Sequence, residues 1–100
     1  MDRATVIALL NEHRAKLAEL GFLSISVIGS TARGEETSES DVDLAVTLTP
    51  GERGFAHFER MDRLKDRVSA LLGRPVDLIE EPSPSSRIQK AIERDRIRAF

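Results

Sequence analysis

The sequence predicts an α+β fold, a two-layer arrangement in which a small mixed β-sheet is packed by helices. Three features carry that expectation. Apolar residues recur at helical spacing in three separate stretches, short β-branched runs ending at glycine or proline lie between them, and the chain is only 100 residues long. A chain of that length is expected to form one domain over residues 1–100, and it buries too little surface to enclose a large private substrate cavity.

The elements follow in order. Val6, Leu9, Leu10, Leu17 and Leu20 keep a helical period over residues 3–20, with Asp2 placed to cap the start and Gly21 to close the end. Residues 24–28 are short, β-branched and stopped by Gly29, which predicts a strand, and residues 42–49 alternate apolar and polar positions up to Pro50-Gly51, which predicts another. Phe55, Phe58, Met61, Leu64, Val68, Leu71 and Leu72 then sustain a helical period until Gly73, and both phenylalanines are expected in the core. Residues 75–79 read as a third short strand. Ser83-Pro84-Ser85-Ser86 forms a turn and cap for a last helix in which Ile88, Ala91 and Ile92 face inward. On its other side Arg87, Lys90, Arg94 and Arg98 fall three and four residues apart, a stripe expected to be solvated.

Composition excludes several classes of function. Hydrophobic residues make up 40% and charged residues 32%, with no apolar run long enough to span a membrane. The start, Met1-Asp2-Arg3, leads into an amphipathic pattern and not into a secretory signal, so a cytoplasmic location is expected. There is no cysteine, which removes disulfides and thiolate metal sites. Basic and acidic residues interleave to a net charge of -2, so no dedicated nucleic-acid surface is expected and any nucleotide must be held locally. His13 and His57 lack metal-ligand spacing with one another and are expected at the surface or its boundary.

The informative stretch is residues 27–46, VIGSTARGEETSESDVDLAV. Side chains alternate faces along a strand, so Val42, Leu44, Val46 and Leu48 share one face and Asp41 and Asp43 share the other. In the third strand Asp77 lies opposite Val76 and Leu78. If the two strands are neighbours, three carboxylates converge. Such a group repels itself unless cations sit within it, and hard oxygen donors suit Mg²⁺ with substrate phosphates completing its shell. Gly29 allows a close turn at the strand end, Ser30 supplies a hydroxyl and an amide, and a short helical turn through Ala32 and Arg33 presents N–H groups to an anion. Arg33 itself divides evenly between a phosphate or partner contact and a surface pair with Glu35 or Glu36.

Gly29-Ser30, ten intervening residues and then Asp41-Val42-Asp43 resemble the signature of the DNA polymerase beta nucleotidyltransferase superfamily, and the compact chain resembles its minimal nucleotidyltransferase branch. The words STARG and SDVDL extend the likeness, Asp77 falls where that family has its third acid, and the element order is similar to the family's catalytic core. The resemblance implies nucleotidyl transfer with two Mg²⁺ ions: Asp41 and Asp43 bridge both, and Asp77 helps hold the catalytic one and accepts the proton of an attacking hydroxyl. It also implies a cytoplasmic antitoxin of a HEPN/MNT toxin-antitoxin pair, which transfers AMP from ATP onto its HEPN-type ribonuclease toxin within a hetero-oligomer. Two other readings stay open at this level. The chain could neutralise the toxin by binding alone, or it could modify RNA or a small molecule.

Overall fold

The computed structural model describes residues 1–100. The chain opens with α1 (Arg3–Glu12) and α2 (Arg14–Leu20), in place of the single helix expected over residues 3–20. Asp2 caps α1 by accepting a hydrogen bond from the Thr5 amide at 2.9 Å. The break at His13 leaves the apolar stripe intact, with Val6 and Leu10 on α1 and Leu17 on α2 all fully buried, so apolar spacing alone carries no trace of it. Then come β1 (Phe22–Ile28), the five-residue α3 (Gly29–Arg33), β2 (Val42–Leu48), α4 (Phe55–Leu72), β3 (Val76–Glu80), α5 (Ser86–Asp95) and β4 (Ile97–Arg98).

The four strands form one mixed sheet in the order β3-β2-β1-β4. β1 runs antiparallel to β2 and β4, and β2 runs parallel to β3, so β2 and β3 present their first residues at the same end of the sheet. One face carries the main core. Ile25 and Val27 of β1, Leu44 and Val46 of β2 and Val76 of β3 pack there with Val6, Leu10, Leu17, Leu64 and Val68. Each such side chain contributes about 1.5–3 kcal/mol by leaving water. On the opposite face a smaller cluster of Ile28, Ala45 and Ile92 seats α5 on the sheet. Helices therefore cover both faces, and β2 is buried on its second face at Ala45 while remaining polar at Asp43.

Two expectations fail here. Phe55 and Phe58 are 87% and 68% exposed and do not join the core. His57, which pairs with Glu80 at the end of β3, lies on the helix face continued by Met61, Leu64 and Val68, whereas Phe55 and Phe58 fall on the exposed side with Asp62 and Lys65. Arg98 does not extend the basic stripe of α5, because the helix ends at Asp95 and Arg98 pairs with Ser26 on the added edge strand β4. Arg87, Lys90 and Arg94 remain on the helix. No helix is long and apolar enough to cross a membrane.

Candidate functional site

Gly29 ends β1 and begins α3 with φ of +69°. A Cβ built there would stand 2.5 Å from Asp43 Oδ2, so the carboxylate of β2 rests directly on the turn. Register explains the contact: Ile28 pairs with Asp43, which places the turn immediately beyond that carboxylate. α3 is pinned from three sides. Thr31 and Ala32 are buried, Arg3 Nη1 donates to the Ala32 carbonyl at 2.7 Å, and Arg33 reaches α5. The opening N–H groups of a helix have no intrahelical acceptor, and no side chain caps those of α3.

The parallel pairing of β2 with β3 sets Asp43 level with Asp77 on one face of the sheet. Asp41 sits just before β2, exposed, and its approach is shaped by a turn in which Ser40 Oγ accepts from the Thr37 amide at 2.9 Å and Arg74 Nη2 donates to the Ser40 carbonyl at 2.8 Å. The Asp43 carboxyl is held above the usual aspartate range, first by burial, then by the charges of Asp77 and Asp41, with Arg33 opposing them. Asp77 has taken a cation of its own, since its Oδ1 lies 3.4 Å from Lys65 Nζ on α4.

The expected convergence of three carboxylates is incomplete as the side chains stand. No three acidic or histidine side chains are grouped closely enough to hold one metal ion. Asp77 pairs with Lys65 at 3.4 Å, and Asp41 is exposed. The donor chemistry nonetheless fits a hard divalent cation, with oxygen ligands only and an Asp43 that no basic side chain neutralises by direct contact. Of the two open readings for Arg33, the structure records the ion pair. Its Nε meets Glu35 at 3.0 Å and its Nη1 meets Asp95 at 2.7 Å.

Lys65, Arg74 and Asp95 escaped the sequence reading. Each acts across elements, Arg33 and Asp95 being 62 residues apart, and no local pattern marks such a contact.

Residues 10–99 match the nucleotidyltransferase domain family. The protein adenylyltransferase MntA of Thermococcus cleftensis is 34% identical over 89 residues, spanning 88% of this chain and 86% of that protein. A solved structure described as a candidate minimal nucleotidyltransferase is 32% identical, covers 97% of this chain and 95% of its own, and superposes with a TM-score of 0.76. A Shewanella oneidensis complex of a tri-AMPylated HEPN toxin with an MNT antitoxin shares the fold at 22% identity, covering 91% of this chain and 70% of that one with a TM-score of 0.56.

Proposed function

Because the chain belongs to the nucleotidyltransferase domain family, we propose that it transfers AMP from ATP onto a HEPN-type ribonuclease toxin in the cytoplasm and so acts as that toxin's antitoxin. The observation that carries the reading is Asp43, seated on the Gly29 turn and level with Asp77 on the neighbouring strand. The Thermococcus relative named as a protein adenylyltransferase and the Shewanella toxin-antitoxin complex support the acceptor class.

Asp41, Asp43 and Asp77 would hold two Mg²⁺ ions, which screen phosphate charge and make the attacking oxygen more nucleophilic. The remaining steps fall to the chain's own groups. Ser30 and the opening N–H groups of α3 bind a phosphate against the turn, and the pinned α3 keeps them in place. A hydroxyl oxygen of the acceptor attacks the α-phosphorus, the bond from that phosphorus to the bridging oxygen of the β-phosphate breaks, and pyrophosphate leaves. The hydroxyl proton passes to Asp77, which is half-exposed and open to an acceptor arriving from outside.

The test is label transfer with the partner, Mg²⁺ and ATP labelled at the α-phosphate. Label on the partner that Asp41→Asn or Asp43→Asn removes supports the reading. Neutralisation retained by Asp43→Asn, with no label at any stage, would give the binding-only role instead.

A further inference from the structure

Asp95 is the last residue of α5, and its side chain is only 6% exposed. Neither fact favours the helix. A carboxylate at a helix C-terminus faces the negative end of the dipole, and withdrawing it from water costs free energy unless cations meet it. Two do: Arg33 Nη1 lies 2.7 Å from Asp95 Oδ2, and Arg94 Nε lies 3.0 Å from Asp95 Oδ1. They differ in what they connect. Arg94 is the neighbouring residue, exposed, and its pair closes within α5. Arg33 belongs to α3, 62 residues away along the chain, and its pair joins two elements.

Arg33 ends the short helix that Gly29 begins, about one helical turn later, so whatever holds Arg33 also holds the turn. The other end of the link is fixed as well. Arg96, which follows Asp95, binds Glu81 just past β3 and donates to Ser26 of β1 at 3.1 Å. One turn earlier Ile92 is buried with Ile28 and Ala45 against the sheet. The end of α5 is therefore tied to β1, which runs into the Gly29 turn, and to the end of β3, which bears Asp77. A continuous series of contacts runs from the sheet through Arg96 and Asp95 to Arg33 and α3.

We propose that Asp95 is a positioning residue for nucleotidyl transfer: through Arg33 it fixes Gly29, Ser30 and the opening N–H groups of α3 relative to Asp43 and Asp77, and it touches no substrate itself. The inference rests on the nucleotidyl-transfer reading for what the turn binds. It makes Arg33 a strut, where the sequence left a phosphate contact open. A nucleotide held by the turn on one side and by the acids on the other loses affinity when the two shift against each other, because its contacts can no longer all keep good geometry.

Calorimetric titration with Mg²⁺ and a non-hydrolysable ATP analogue tests this on the wild-type chain, Asp95→Asn, Arg33→Gln, the double variant and Arg94→Gln, with circular dichroism confirming that each is folded at the temperature used. Asp95→Ala, a better helix former, takes the place of Asp95→Asn under the same criteria if the latter does not fold. The expected result is that Asp95→Asn and Arg33→Gln each weaken analogue binding by about tenfold, and that the double variant is no worse than either, because both act through one contact. Arg94→Gln, which breaks only the pair within α5, changes binding by less than about twofold. A purely structural Asp95 would lower the melting temperature and leave the folded chain's affinity unchanged, which overturns the inference. So would losses that add in the double variant, since Arg33 would then act on the nucleotide by itself, or a wild-type chain that does not bind the analogue. The expected binding pattern in a protein that transfers no label would sink the transfer reading and leave the positioning role standing.

Discussion

Gly29 and Asp43 are packed so tightly that residue 29 has no room for a side chain, with Asp43 Oδ2 at 2.5 Å from the position a Cβ would take. Gly29 also has a φ of +69°, where an L side chain adds strain. Gly29→Ala should therefore cost about 1–2 kcal/mol in unfolding free energy from the backbone alone. It should also push the Asp43 carboxylate aside and lower transfer by about 100-fold, the scale of a small misplacement at a reacting centre. Denaturant melts and a transfer assay on the same preparation measure both.

Asp43 is a carboxylate that the fold accommodates at a cost. Its carboxyl titrates above the ordinary aspartate value of 3.8 because of burial and then Asp77 and Asp41, so the folded state prefers the protonated form. The associated stability is present below that ordinary value and is lost as pH rises through the raised folded value. Asp43→Asn should thus melt higher than wild type at neutral pH, and the gap should close as pH falls toward 3.8. A variant that melts lower at pH 7 would contradict the assigned cause.

Glu81 and Arg96 behave in the opposite sense. Arg96 binds both carboxylate oxygens of Glu81 and donates to the buried Ser26 hydroxyl at 3.1 Å, tying the end of β3 to β1 beyond the last turn of α5. The Glu81 carboxyl is held below the usual glutamate range, first by the hydrogen bond from Arg96. Its stabilisation is complete above the ordinary value of 4.5 and is lost as pH falls through the lowered folded value. Arg96→Ala strands a mostly buried carboxylate and should cost about 2–3 kcal/mol at pH 7. That cost should shrink in acid, as urea melts at a series of pH values would show.

Phe55 and Phe58 lie outside the core, so replacing both with serine should change stability by no more than about 0.5 kcal/mol. Two core phenylalanines would cost several times as much. Thermal melts of the double variant decide between these.

The mixed sheet packed by helices was legible because its signals are local, whereas the expected two layers became helices on both faces. Alternation in β2 put Val42, Leu44 and Val46 on one face and Asp43 on the other, and Gly29, Pro50 and Gly73 marked element ends. The pairing of Asp43 with Asp77 needed one further fact, that β2 and β3 are parallel neighbours, and residue spacing could pose that condition without meeting it. Other features were not legible for stated reasons. Successive three-residue steps back from Leu64 through Met61 to Phe58 and Phe55 drift off the buried face of α4, β4 is two residues long, and the contacts of Arg33 with Asp95 and of Lys65 with Asp77 join elements distant along the chain.

A crystal structure with Mg²⁺ and a non-hydrolysable ATP analogue tests the central claim most directly. The expected result is metal density bound by Asp43 and Asp77, with Asp77 drawn away from Lys65 and the α-phosphate lying between those carboxylates and the Gly29-Ser30 turn. An analogue bound elsewhere on the sheet, with the Asp77–Lys65 pair intact and no metal at Asp43, would contradict it.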